Sequence, residues 1–216
     1  MSTWLDHVDK WKDCQRCSLA EQRFRICLGR GSTDENGTVE VLFVGEAPGQ
    51  SEDTSGLPFV GPAGKLMDDI INRALCPSIP YALTNLVACY PREAKLRGDN
   101  EPERGEIFEC RPRLIEFINI VQPRLIVRVG SLVKEYLNFN NTVPMVDIIH
   151  PASILRRDMP IAQKQGAANK CVVQVKNAYE DVCQTPRKVW ELWEYEYEYG
   201  QQSNRRQQLK QLYRDA

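Results

Sequence analysis

The run Val41-Leu42-Phe43-Val44, followed at once by Gly45-Glu46-Ala47-Pro48-Gly49, constrains this chain more than any other stretch. Four consecutive apolar residues offer no polar face to water, so they read as a strand buried on both sides. Glycine and proline then end the strand in a rigid, bent loop. It continues as Gln50-Ser51-Glu52-Asp53 and Gly56-Leu57-Pro58-Phe59-Val60-Gly61-Pro62-Ala63-Gly64. Such a loop at the carboxyl end of a strand is where an open α/β sheet places its ligand. This one carries an acid, exposed backbone amides and an aromatic ring, the parts a base-binding pocket would use.

Around that loop the chain alternates strand and helix signals. Strands are expected at Val39–Val44, Tyr81–Cys89, Leu125–Val129 and Met145–Ile149. Helices are expected over 2–24, with Trp4, Leu5, Val8 and Trp11 on one face, and at Gly64–Leu75, Glu103–Val121, a short helix opened by the Gly130-Ser131 turn and running through Leu137, and Ala167–Gln184. Residues 91–103 read as a polar surface loop. The alternation implies a mostly parallel sheet with helices on both faces, in one domain over 1–186. Beyond it, Trp190, Trp193 and Tyr197 give a 187–216 helical extension an aromatic face, which either packs on the domain or docks a protein partner.

With 216 residues the chain is long enough for a sizeable core. No apolar run approaches the roughly 18 residues that cross a membrane. The amino terminus lacks a signal-peptide pattern, so a cytoplasmic monomer, nucleoid-associated or virus-encoded, is the expectation. The formal net charge of −1 does not advertise nucleic-acid binding, which leaves local charge to decide.

Eight cysteines are many for such a compartment, and metal ligation is the better prior for some of them. Cys14-Gln15-Arg16-Cys17 is a C-x-x-C pair, Cys89 ends the second strand, and Cys110 lies in a later helix. Four thiolates suit an iron–sulfur cluster or a structural zinc, and a C-x-x-C alone could be a redox pair. With only His7 and His150 in the chain, a mixed Cys/His zinc site is disfavoured. Cys27, Cys76, Cys171 and Cys183 are expected to be free and buried.

Four features should meet at the carboxyl edge of the sheet: the Glu46 loop, Phe59, Asn85 in Thr84-Asn85, and His150 in His150-Pro151-Ala152. Phe59 offers a flat face for stacking. The Asn85 amide carries a donor and an acceptor, which answer the O4 and N3–H of uracil together. His150 can donate to the pyrimidine O2, where negative charge grows as a glycosidic bond breaks.

These motifs, with the four cysteines, resemble the family 4, iron–sulfur uracil-DNA glycosylases over roughly two thirds of the chain, from Cys14 to Arg157. The resemblance implies a three-layer α/β/α sandwich with a central four-stranded parallel sheet. It implies an enzyme that flips uracil out of single- or double-stranded DNA and hydrolyses its N-glycosidic bond, leaving an abasic site. It implies a [4Fe-4S] cluster on Cys14, Cys17, Cys89 and Cys110, with a structural role. By resemblance, Gly45 and Gly49 shape the pocket, Phe59 stacks, Asn85 reads the base edge, His150 assists at O2, and Glu46 with nearby amides supports the base or the water. Ala47 stands where the best-known branch of the superfamily has an aspartate, an absence family 4 shares. The stretch Ser153, Ile154, Leu155, Arg156 and Arg157 is implied to enter the minor groove, Ile154 or Leu155 filling the vacated space and the arginines meeting phosphate.

The departures are a long Cys89–Cys110 segment, Tyr90-Pro91-Arg92 in place of an arginine-proline-proline run, and residues 158–216, which extend past the family pattern. Alternatives are excision of another modified pyrimidine, covalent trapping of an abasic product, or a non-catalytic, replication-associated DNA-binding module. The trap would want a histidine between Cys89 and Cys110, and none is there.

Overall fold

The computed structural model describes residues 3–34, 37–93, 101–138 and 143–188. The aromatic segment beyond Lys188 and residues 94–100 of the polar loop lie outside the described residues. The five described strands are β1 (Arg30–Gly31), β2 (Val41–Gly45), β3 (Tyr81–Asn85), β4 (Leu125–Val129) and β5 (Met145–Ile148). They form one sheet in the order β1-β3-β2-β4-β5. The four expected strands are parallel, and β1 adds a short antiparallel edge, pairing Arg30 with Leu83 and Gly31 with Ala82. Two residues carry no periodicity, so β1 left no signal in the sequence.

Both faces are covered. On one, Leu42, Val44, Ala82 and Ile126 pack under Leu114, Phe117 and Ile118 of the helix Arg104–Val121 and under Val133 of the helix Ser131–Tyr136. On the other, Val41, Phe43, Leu83 and Val127 meet Met67, Ile70 and Ile71 of Pro62–Ala74 and Cys171 and Val175 of Ile161–Cys183. Alternate residues of a strand point to opposite faces, so β2, buried at all five positions, must be apolar throughout. The result is a three-layer α/β/α sandwich.

The expected helix over 2–24 is instead Trp4–Trp11 and a short turn, Leu19–Gln22, and the C-x-x-C lies between them. Its inward face is also different: Leu5 is exposed, while His7 and Trp11 are buried. Polar contacts dock this helix. Glu116 bonds His7 Nδ1 at 2.8 Å, accepts from Trp11 Nε1 at 3.1 Å and pairs with Lys10. Apolar spacing cannot report such an anchor. Gln50–Ser55 and Pro151–Arg156 are helices where loops were expected, both under two turns long. The last described helix starts at Ile161, ahead of Ala167, and Ile161 itself is exposed. Cys27 and Cys171 are free and buried as expected, but Cys76 and Cys183 are exposed, each at a helix end.

Candidate active site

Chain order places a switch point between β2 and β4: the path from β2 leads to β3 on one side, then crosses to β4 on the other. Ligands of open α/β sheets bind at the carboxyl edge there. A cleft of about 280 Å³ opens at that edge, lined by Glu46, Ala47, Gly49, Phe59, Asn85 and His150. Its size is near the small end of ligand pockets, suited to a single ring system.

Register sets the floor. Gly45 pairs with Asn85 across β2 and β3. A Cβ on Gly45 would collide with Asn85 Oδ1 and lie 2.5 Å from Phe59 Cζ, so only glycine lets both side chains lean over the strand end. Gly130, after β4, has φ +107, and a Cβ there would sit 2.5 Å from Glu46 Oε1.

Phe59 is held in the left-handed region, at φ 57, a conformation costing about 1–2 kcal/mol for a side-chain-bearing residue. Two buried or half-buried charges offset that strain. Glu52 accepts from the amides of Val60 (2.8 Å), Gly61 (2.7 Å) and Gly49 (3.0 Å), tying the two glycine loops together. Arg30 on β1 donates to the carbonyls of Pro58 (2.7 Å) and Phe59 (3.0 Å) and pairs with Asp68 at 2.6 Å. Neither Glu52 nor Arg30 was singled out from the sequence. An acid three residues after Gly49, at the third position of a helix, is the capping signal that would have found Glu52.

Asn85 is 2% exposed, and its backbone carbonyl accepts from Arg113 Nη2 at 2.6 Å. Among the described residues its side-chain amide has no hydrogen-bond partner, which leaves donor and acceptor free for a ligand. His150 caps the helix Pro151–Arg156: its Nδ1 accepts from the Ala152 amide at 3.1 Å, so the neutral ring carries its proton on Nε2. Burial, reinforced by the charge of Arg156 and opposed by Glu52, pushes the His150 pKa down to about 4. The ring is therefore a neutral donor at physiological pH. It lies near-parallel to Phe59, centroids 6.4 Å apart. Burial also raises the Glu46 pKa, with Glu101 adding to the shift and Arg156 opposing it.

Cys14, Cys17, Cys89 and Cys110 line one small, separate cavity. Three N–H donors reach their sulfurs: Ala88 to Cys110 at 3.3 Å, Arg23 to Cys89 at 3.5 Å and Arg113 to Cys110 at 3.7 Å. Such donors and guanidinium charges suit electron-rich sulfur, whereas burial pushes the Cys17 thiol up and the Cys89 thiol up to about 12, a bias that a bound metal's charge would reverse. No three His, Cys, Asp or Glu side chains among the described residues are grouped as ligands of one metal ion. Arg113, 1% exposed, also donates to Thr84 Oγ1 (2.7 Å) and to the Leu86 carbonyl (3.1 Å). It thus links the cysteine cavity to the strand end that carries Asn85.

In the stretch after His150, Arg156 lines the cleft and is exposed, as are Leu155 and Arg157, and Ser153 is half-buried. Ile154 corrects the expectation. It is 1% exposed, packed in the core with Cys171 and Val175, and faces no groove. Its helix turns Leu155 outward instead.

Fold and cleft together define an α/β protein whose sheet carries, at its switch point, a cleft lined by an aromatic ring, an amide and an imidazole. The family described as the uracil DNA glycosylase superfamily matches residues 33–173, and the chain belongs to that superfamily. The match spans the cleft residues, Cys89 and Cys110, while Cys14 and Cys17 precede it. A type-4 uracil-DNA glycosylase of Saccharolobus solfataricus is 38% identical over 131 residues, 60% of this chain and 56% of that protein. One of Sulfurisphaera tokodaii is 36% identical over 138 residues, 62% of this chain and 59% of that protein. The chain thus spans a little over half the length of these two relatives. One of Archaeoglobus fulgidus is 26% identical over 179 residues, 73% of this chain and 85% of that protein. No described helix is long and apolar enough to cross a membrane.

Proposed function

We propose that this protein is a type-4 uracil-DNA glycosylase, a monofunctional hydrolase that removes uracil flipped from DNA and leaves an abasic site. The observation that carries the reading is the meeting of Phe59, Asn85 and a neutral His150 in one base-sized cleft, Asn85 and His150 from the ends of β3 and β5 and Phe59 from the loop between the helices Gln50–Ser55 and Pro62–Ala74. Uracil enters and stacks on Phe59. The Asn85 amide pairs with O4 and N3–H, a pattern cytosine reverses. As the C1′–N1 bond breaks, electrons flow into the ring and His150 Nε2–H donates to O2. A donor fixed in a desolvated cleft needs no reorganisation as that charge develops, which makes it worth more than in water. Water adds at C1′, and the uracil anion leaves to be protonated. Glu46 supports the base or orients that water, and Ala47 contributes no acid or base.

Cys14, Cys17, Cys89 and Cys110 hold a [4Fe-4S] cluster. When bound it supplies four Fe–S bonds that tie the amino-terminal turn, the end of the β3 segment and the helix Arg104–Val121 together. Leu155 fills the space left by the flipped base, and Ser153, Arg156 and Arg157 meet the backbone. Residues 1–186 form the glycosylase domain and 187–216 an extension.

The test is incubation with single- and double-stranded oligonucleotides carrying uracil, hydroxymethyluracil or hypoxanthine, followed by alkaline cleavage of abasic sites. Release of uracil that is lost in Asn85→Ala and sharply reduced in His150→Ala supports the reading. Release of another base alone, or tight binding with no release, overturns it.

A further inference from the structure

We propose that Phe24, Arg92 and Tyr90 form a stacking platform for an unpaired base beside the flipped nucleotide, with the neighbouring basic groove taking the strand's phosphates. The proposal rests on the glycosylase reading and adds a second DNA surface, apart from the helix Pro151–Arg156.

Phe24 is 75% exposed, yet its position is built. Asp53, itself 1% exposed, accepts from the Phe24 amide at 2.8 Å with Oδ1 and from Arg92 Nη2 at 2.8 Å with Oδ2. Arg92 Nε also donates to the Gln22 carbonyl at 3.0 Å. The guanidinium so fixed lies 4.4 Å from the Phe24 ring centroid and 5.7 Å from that of Tyr90. Arg92 covers one side of Phe24, and with three quarters of the residue exposed the other side faces solvent. A buried carboxylate thus serves to hold an apolar ring out in water, which only an incoming flat partner would reward.

Continuity names that partner. Tyr90 and Pro91 belong to the wall of the base cleft, so the platform begins where an extruded nucleotide enters. On its far side, Lys12, Arg23 and Arg25 line an open groove with Phe24 itself, against Asp13 in the lining and with Lys12 paired to Asp9 at 2.5 Å. Aromatic faces interleaved with cations along a basic groove are how single-stranded nucleic acid is gripped without regard to sequence. A base still stacked in duplex has no free face to present to Phe24, so the platform acts on strand that is unpaired.

The test uses the full-length protein and oligonucleotides carrying 2′-fluoro-2′-deoxyuridine, which resists hydrolysis, with affinity read by fluorescence anisotropy. Phe24→Ala weakens single-strand binding by about 5- to 150-fold, the range alanine substitution gives for one base on an aromatic ring. Phe24→Trp retains affinity and Phe24→Leu does not, because the face and not the apolarity is needed. Arg25→Gln lowers the salt slope by about one. Leu5→Ala, another exposed apolar residue, changes nothing. A 5-iodouracil next to the analogue crosslinks on irradiation to Phe24 or Tyr90. Wild-type affinity in both Phe24→Ala and Arg25→Gln, or a loss confined to duplex, overturns the proposal while uracil release by the wild type stands. A wild-type protein that releases no uracil from any strand instead overturns the glycosylase reading.

Discussion

Replacing Glu52 by glutamine exchanges one carboxylate oxygen for an amide nitrogen and should unlatch the pocket. The carboxylate accepts three backbone amides, two at Oε1 and one at Oε2. Hydrogen bonds to a charged group contribute about 1.5–3 kcal/mol and neutral ones about 0.5–1.5. Glu52→Gln therefore loses about 1 kcal/mol each at Val60 and Gly61. At Gly49 the new amide turns a donor toward a donor, costing about 1–3 kcal/mol more. Placing the amide the other way round sacrifices two bonds instead of one. With some relaxation around half-buried Gly49, a loss of about 3 kcal/mol is expected, measured as a shift of the urea midpoint at unchanged slope. For a chain of this size that is a fall in Tm of about 6–12 °C. Freed from Glu52, Phe59 relaxes out of its left-handed conformation, and affinity for free uracil should drop by at least about tenfold, read by calorimetry. A Glu52→Gln protein within about 0.5 kcal/mol of wild type, binding uracil normally, would refute the idea that this acid holds the stacking ring in place.

Other expectations follow from the same coordinates. Gly45→Ala drives a methyl into Asn85 and Phe59, and a misplacement of that kind should cost about 100-fold in single-turnover uracil release, with the fold retained by circular dichroism. Arg113→Met leaves the Asn85 and Leu86 carbonyls and the Thr84 hydroxyl without their donor, so stability should fall by about 3 kcal/mol or more, and iron content should fall with it. His7 and His150 are both held down to about 4, burial being the main cause. Neither ring should titrate by NMR between pH 8 and about 5. The unfolded chain takes up protons near pH 6.5 while the folded one waits until about 4, so stability is full above 6.5 and declines as pH falls through that window. Cys89→Ser should yield a colourless protein with less bound iron and a lower melting temperature than wild type.

The sheet was legible because β2 is apolar throughout and β3 and β4 are mostly so, each bounded by glycine, proline or polar turns. Asn85 and His150 were legible because they stand at or just past strand ends, where side chains gather at one edge, and Phe59 because it lies in the glycine- and proline-rich loop that follows β2. What sequence did not convey is what acts through backbone or through charge. β1 is two residues long, and the first helix is anchored by Glu116 through His7, Lys10 and Trp11, where no apolar stripe marks the contact. Glu52 and Arg30 grip main-chain atoms around Phe59, and nothing in their own side chains announces the positions they reach. Ile154 and Leu155 are equally apolar, and only the six-residue helix turn decides that one enters the core and the other faces out. The carbonyl contacts of Arg113 depend on an arginine being buried, the fate composition least favours.

Diffraction from crystals soaked with uracil tests the central claim most directly. Density for one uracil ring should lie on the Phe59 ring, with O4 and N3 facing the Asn85 amide and O2 facing His150 Nε2. Density for the base elsewhere, or a cleft that stays closed to uracil while the protein still releases it from DNA, would contradict the account.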